Sequence, residues 1–174
     1  QEISKTWVAD KGNGTYQNPV LHADYSDPDI CAAGDDFYMT ASSFNCIPGI
    51  PILHSNDLVN WSLVNCALPI QEPEEFFDKA QHGKGVWAPA IRFHNGEFYI
   101  YWGDPDYGIY MIKTKDPEGK WSKPVLVKAG KGMIDATPLW DEDGKVYLIH
   151  AYAGSRSGVN SILVICELNP EGTE

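Results

Sequence analysis

The stretch DPDICAAGDDFYMTAS (residues 27–42) shows the pattern that decides the fold. A short apolar segment leads into a turn at Gly34-Asp35, and a segment of alternating side chains follows. The same order returns in APAIRFHNGEFYIYW (88–102) and in ATPLWDEDGKVYLIHAY (136–152). Alternation on both sides of a glycine-containing turn is typical of an antiparallel β-hairpin. The sequence therefore predicts three similar hairpins.

Each hairpin is followed by another β-like run, namely GIPILHS (49–55), YGIYMIKT (107–114) and NSILVICEL (160–168). In the first two copies a polar turn then leads to Trp61 or Trp121 and to a last strand. Units of four short antiparallel strands that repeat every 40–60 residues or so are typical of β-propeller blades. We predict an all-β propeller.

The predicted blades span approximately residues 18–70, 84–128 and 133–174, within one domain that covers residues 1–174. QEPEEFFDKAQHG (71–83) reads as an inter-blade loop with at most one turn of helix. Propellers have about four to eight blades, so three blades do not close a ring. We therefore expect the remaining blades to lie outside these residues.

Composition narrows the choice of partners. The formal net charge of −11 would repel nucleic acid and an anionic membrane surface, and no apolar run approaches the ~20 residues of a membrane span. A neutral carbohydrate fits this charge. The chain begins with Gln1-Glu2, which is compatible with a periplasmic or secreted product after signal cleavage and equally with an arbitrary boundary.

Carboxylates mark two of the three first strands, which in a propeller line the central channel. Asp27 opens the first of these strands and Asp135 opens the third, while Trp87-Ala88 occupies the comparable place in the second. Glycosidic bond cleavage uses two carboxyl groups around one sugar, so this placement suits a glycosidase. An aspartate beside a proline is also a common turn or cap residue, and that structural alternative stays open.

Four stretches together resemble glycoside hydrolase family 43. They are QNPVLHADYSDPDICAAGDDFYMTASSF (17–44), PGIPILHSNDLVNW (48–61), GVWAPAIRFHNGEFYIYWGD (85–104) and MIDATPLWDEDGKVYLIHAY (133–152). The resemblance implies a five-bladed β-propeller. It also implies an inverting β-xylosidase or α-L-arabinofuranosidase that acts on oligosaccharides or polysaccharides from plant hemicellulose.

The resemblance also implies roles for individual residues. Asp27 matches the general base, which deprotonates the attacking water, and Asp135 matches the carboxylate that modulates the pKa of the general acid. Phe44, Trp87 and Ala88 match residues of the sugar pocket. No cofactor is required and no residue is assigned as a metal ligand, although relatives sometimes hold a structural calcium ion in the channel.

The sequence differs from the family pattern at two places and lacks one of its catalytic residues. Asp29 stands where a small residue is usual, and Ala-Thr-Pro follows Asp135 in place of Pro-Ser-Leu. The glutamate that serves as general acid in the family has no counterpart here, so we expect it beyond residue 174 and expect no glycosidase activity from this stretch alone. A propeller that binds carbohydrate without cleaving it, and an interaction scaffold, are the alternatives.

Overall fold

A computed structural model describes residues 6–174, so Gln1 and Glu2, on which the secretion prediction rests, lie outside the described residues. Within that range the chain forms three antiparallel β-sheets with two single-turn helices beside them. None of the described helices has the length and apolar character needed to cross a membrane. The prediction of an all-β architecture is confirmed.

The first sheet has four strands in the order β1-β2-β3-β4. Its turn at Gly34-Asp35 joins the first two strands, as predicted, and Gly34 adopts the left-handed backbone (φ 67°) that such a turn requires. The strands are β1 (Asp29–Ala33), β2 (Asp36–Thr40), β3 (Gly49–Ser55) and β4 (Ser62–Leu68).

The second sheet repeats this order with four strands, and the third sheet has three. The second comprises β5 (Ala90–His94), β6 (Glu97–Asp104), β7 (Gly108–Thr114) and β8 (Val125–Ala129), and the third comprises β9 (Met133–Trp140), β10 (Val146–Tyr152) and β11 (Val164–Leu168). Helix α1 (Glu74–Phe77) lies in the loop between the first two sheets and α2 (Gly154–Ser157) follows β10. Residues 71–83 therefore lie between the first two sheets, as predicted, and contain one turn of helix.

The hydrophobic core lies on both faces of the second sheet. Ile100 and Trp102 belong to a cluster shared with Tyr38 of the first sheet. Tyr101 points the other way and belongs to a cluster shared with Leu148 of the third sheet. Because side chains alternate along a strand, one segment of β6 buries large residues in both directions. Each such side chain contributes about 1.5–3 kcal/mol on burial.

The first strands of the three sheets are neighbours in space: β1 contacts β5, and β5 contacts β9. Face-to-face sheets whose first strands line one axis are the arrangement expected of propeller blades. The predicted unit of four antiparallel strands is confirmed in the first two sheets, and the third sheet has three strands within the described residues. The number of blades in a full ring stays a prediction.

One detail of the sequence interpretation is wrong. Asp135 does not open the third inner strand, because β9 begins at Met133. The register between β9 and β10 shifts so that Asp135 and Ala136 together face a single residue of β10, which is a β-bulge. The bulge lets β9 continue past the aspartate, whereas Asp27 lies two residues before β1.

Candidate active site at the channel mouth

The equivalent positions of the three sheets share an unusual backbone conformation. Asp27, Ala88 and Asp135 have φ angles of 50°, 36° and 56°, all in the left-handed region. That conformation costs roughly 1–2 kcal/mol for a residue with a Cβ, and alanine has no polar group to offset the cost. Such strain persists where the surrounding structure imposes it, frequently at functional sites. All three residues line one open cavity of about 220 Å³, which is called the mouth below.

Asp27 is solvent-exposed, and one of its carboxylate oxygens is held by two hydroxyl groups. Ser42 Oγ donates to Asp27 Oδ2 at 2.7 Å, and Ser26 Oγ donates to the same oxygen at 3.0 Å. Among the residues that the structure describes, none donates a hydrogen bond to Oδ1. The two bonds to Oδ2 therefore orient the carboxylate and leave Oδ1 available to a water molecule or a ligand.

Asp135 faces the same cavity without a hydrogen-bond donor from the described part of the chain. Loss of surrounding water is the larger cause that raises the pKa of Asp135 above its usual 3.8, and the negative charge of Asp27 is the second. Two carboxylates that repel each other at one mouth are an arrangement that tunes acid–base groups. The structure thus brings together the two aspartates chosen from the sequence.

Asp29, the first departure from the family pattern, has a structural role. Its Oδ2 accepts hydrogen bonds from the Ile91 backbone N–H at 2.8 Å and from the Arg92 guanidinium. Asp29 thereby joins β1 to β5 just inside the mouth, and its charge is matched by a cation. The additional aspartate does not compete with Asp27 for the same partners.

Phe44 and Trp87 do not line the 220 Å³ cavity but stand beside it as an edge-to-face aromatic pair, with ring centroids 6.5 Å apart. Two paired loops bring them together: Ser43 and Val86 exchange both backbone hydrogen bonds, at 2.9 and 3.2 Å. The Trp87 indole N–H donates to the Gly83 carbonyl at 2.9 Å, which fixes the ring. An indole held in this way can serve as a platform for an apolar sugar face.

Gly85 is required where these loops meet. A Cβ at this position would lie 2.1 Å from the Ser43 carbonyl oxygen, so a larger residue would separate the loops.

Arg156, which sequence reasoning missed, lies over the Trp87 ring with its guanidinium carbon 5.8 Å from the ring centroid. Its Nε is 3.4 Å from Asp106 Oδ1, in the turn between β6 and β7. The sequence GDPDYG (103–108) of this turn contains two carboxylates, Asp104 and Asp106. In the structure Asp104 is buried and accepts the backbone N–H groups of that turn, and Asp106 pairs with Arg156.

A larger cavity of about 590 Å³ lies at the opposite end of the first sheet, beside Trp7 and Trp61. Among its described lining residues Asp10 is the one carboxylate, and it accepts hydrogen bonds from the Asn60 amide and the Gly12 N–H, which lower the pKa of Asp10. This cavity is larger, but the mouth is better suited to catalysis, because two carboxylates converge there, each with an oxygen that accepts no hydrogen bond from residues 6–174. We therefore place the candidate site at the mouth.

The described residues do not provide enough ligands for a calcium ion in the channel. Within residues 6–174, no three His, Cys, Asp or Glu side chains lie close enough together to hold a metal ion. Asp29 already pairs with Arg92. The described residues thus do not form a calcium site by themselves, and channel calcium stays a prediction that needs ligands from elsewhere.

The sequence is similar to those of known glycosidases. The chain is 36% identical to a β-xylosidase of Formosa agariphila, in an alignment that covers 100% of this chain and 32% of the relative. It is 37% identical to a non-reducing end α-L-arabinofuranosidase of Bacteroides ovatus, over 78% of this chain and 26% of the relative. The chain thus spans about a third of the length of these relatives or less.

Two solved structures have folds similar to that of this chain. The GH43 BlXynB protein of Bacillus licheniformis superposes with a TM-score of 0.73 at 34% identity, over 91% of this chain and 31% of that one. The GH43B protein of the Bacteroides ovatus xyloglucan locus gives a TM-score of 0.72 at 31% identity, over 88% and 30% of the two chains. The family model described as "Glycosyl hydrolases family 43" matches residues 16–174. The chain therefore belongs to glycosyl hydrolase family 43.

Proposed function

We propose that this chain contributes the base-bearing part of an inverting glycoside hydrolase that removes xylosyl or arabinofuranosyl residues from hemicellulose-derived glycans. The observation that carries the proposal is the convergence of Asp27 and Asp135 on one cavity, each at a backbone conformation that is costly to maintain. Relatives named β-xylosidase and α-L-arabinofuranosidase support the substrate class.

In this mechanism Asp27 is the general base. Its free Oδ1 accepts a proton from water as the water oxygen attacks the anomeric carbon and the glycosidic bond breaks. The departing oxygen takes its proton from a general acid on another part of the protein. Asp135 raises the pKa of that acid by charge repulsion and keeps it protonated at working pH.

We further propose that more sheets complete a five-bladed ring, because the outer face of the third sheet exposes large apolar side chains. Tyr101, in β6, is 0% exposed beneath the third sheet. Its equivalent in the third sheet is Ile149, whose neighbours Ile165 and Leu139 are 67% and 49% exposed. Apolar neighbours on one sheet face are typical of an interface. A further blade on this face would also carry the general acid.

The test uses the complete protein with aryl β-xyloside and aryl α-L-arabinofuranoside, and NMR to identify the first anomer released. We expect turnover with inversion on at least one substrate, and no turnover by residues 1–174 alone. Sugar binding without hydrolysis by the complete protein would favour the alternative, a non-catalytic carbohydrate-binding propeller. Rapid hydrolysis by the 174-residue chain would show that the general acid assignment is wrong.

A further inference from the structure

Ser42 connects the proposed base to the second sheet through one hydroxyl group. It lies just after β2, and its Oγ accepts the Ala88 backbone N–H at 2.8 Å while it donates to Asp27 Oδ2 at 2.7 Å. A hydroxyl has a single proton to donate. Because the Ala88 N–H can only donate, the Ser42 proton must point to Asp27. The direction of both bonds follows from the geometry.

The hydroxyl joins the two strained positions of the mouth. Asp27 and Ala88 both have positive φ angles, and each lies two residues before the first strand of a different sheet. The Ser42 backbone N–H also donates to the Ser26 carbonyl at 2.9 Å, so the segment that holds Asp27 is tied to Ser42 at two points. The position of the base relative to the Trp87–Ala88 segment therefore depends on this one side chain.

The bonds also distinguish the two oxygens of the base. Ser42 and Ser26 both donate to Oδ2, and no described residue donates to Oδ1. An oxygen that already accepts two hydrogen bonds is a poorer proton acceptor than its free neighbour. The water proton is thus directed to Oδ1, while Oδ2 keeps its two bonds.

We infer that Ser42 is a positioning residue for the proposed reaction: its hydroxyl holds Asp27 by Oδ2 and aims Oδ1 at the attacking water. The inference rests on the proposed function of Asp27. During the reaction the bond from water oxygen to the anomeric carbon forms and the glycosidic C–O bond breaks. The water proton moves to Oδ1, and the leaving oxygen is protonated by the general acid.

The neighbouring serine provides a matched control. Ser43 Oγ accepts the backbone N–H of Ile50 at 3.0 Å, and Ile50 is fully buried with a φ of 56°. The hydrogen bonds to the Asp27 carboxylate come from Ser26 and Ser42, and not from Ser43. Each of the two adjacent hydroxyl groups thus accepts a backbone N–H, but of the two only that of Ser42 also donates to Asp27. Both alanine substitutions should lower stability, and only Ser42→Ala should lower kcat.

The experiment measures kcat, KM and Tm for Ser42→Ala and Ser43→Ala in the complete protein. Because misplacement of a catalytic group by about 1 Å can cost ~100-fold, we expect Ser42→Ala to lower kcat by roughly 10- to 100-fold, with a smaller change in KM. Its Tm should also fall, since the Ala88 N–H loses its acceptor. Ser43→Ala should lower Tm and leave kcat within about twofold. Faster exchange of the Ala88 amide proton, measured by NMR, would verify that the Ser42 bond is lost.

A second pair separates the hydroxyl from the shape of the side chain. Ser42→Thr keeps the hydroxyl, and Ser42→Val has nearly the shape of threonine without it, so kcat should be close to wild type in the first and low in the second. Equal kcat values for both, or a loss seen only in KM, would overturn the positioning role. A wild-type protein without turnover would overturn the proposed function and this inference together, whereas unaffected Ser42 variants of an active enzyme would overturn this inference alone.

Discussion

Asp57, in the turn between β3 and β4, and Asp135, in β9, are both solvent-exposed aspartates with opposite surroundings. The carboxylate of Asp57 accepts the backbone N–H of Asn60 at 2.7 Å, the Asn60 side-chain amide at 2.8 Å and the Val59 N–H at 2.9 Å. These bonds, those from Asn60 first, lower the pKa of Asp57 to about 2. The pKa of Asp135 is raised instead.

The difference separates structural carboxylates from those available for chemistry. Asp57 satisfies the open N–H groups of an outer turn, and Asp116 does the same for Glu118 in the equivalent turn of the second sheet. The Trp61 and Trp121 indoles close these turns by donating to the carbonyls of Leu58 and Pro117. A carboxylate whose two oxygens both accept hydrogen bonds stabilises its own loop. Each mouth aspartate has an oxygen to which no described residue donates, so that oxygen is available to a ligand.

Of the substitutions considered, Asp27→Asn should cause the largest loss of activity. Asparagine tolerates the left-handed backbone of Asp27 but cannot accept the water proton. We expect kcat of the complete protein to fall by about 10²–10⁴-fold, with an unchanged circular dichroism spectrum. Asp57→Asn, the same change at the outer turn, should leave kcat within about twofold. Equal activity loss in both variants would abolish the distinction between the two sites.

Asp135→Asn should have the next largest effect, about a tenfold loss of kcat. Removal of this negative charge lowers the pKa of the general acid, because the repulsion that kept it protonated is gone. The basic limb of the pH–rate profile should therefore move to lower pH. A profile that only drops in height, without moving, would count against the modulating role.

Asp57→Ala should destabilise the fold without affecting turnover. The loss of a side-chain acceptor for turn N–H groups costs about 1–2 kcal/mol, as at helix N-caps. Asp116→Ala should cost less, since the Asp116 carboxylate accepts the Glu118 N–H alone among the described backbone groups. Urea unfolding of both variants measures the difference, and an Asp116 effect larger than that of Asp57 would contradict this ranking.

The smallest expected effect concerns how the free energy of unfolding depends on pH. Asp57 and Asp135 should contribute to it with opposite signs. Folding lowers the pKa of Asp57, so its stabilisation is present above pH 3.8 and is lost as the pH falls towards about 2. Folding raises the pKa of Asp135, so ionised Asp135 destabilises the fold above that raised pKa, and the penalty disappears below 3.8.

The free energy of unfolding, measured for wild type and for both asparagine variants at several pH values, tests these opposite signs. Asp135→Asn should be slightly more stable than wild type at pH 7 and equal to it near pH 3. Asp57→Asn should be less stable at pH 7, with the deficit shrinking as the pH falls below 3.8. If both variants changed in the same direction, the proposed surroundings of one carboxylate would be wrong.

Much of the fold was predictable because its signals are local. Alternation and the turns at Gly34-Asp35 and Asn95-Gly96 depend on backbone preferences of a few adjacent residues, and they specify the hairpins that the structure contains. Alignment of the three copies then selected Asp27 and Asp135 as equivalent positions. The bulge at Asp135 was not predictable, since it depends on how β9 pairs with β10.

By itself, the sequence determined the repeated four-stranded unit, the acidic character of the protein and the two aspartates that share a place in the repeat. Tertiary structure alone decided that Ser42 holds one oxygen of Asp27, that Arg156 lies over Trp87 and that Asp29 pairs with Arg92. The reason is physical: periodicity is a property of neighbouring residues, whereas a hydrogen bond across two sheets exists only once both backbones have been placed.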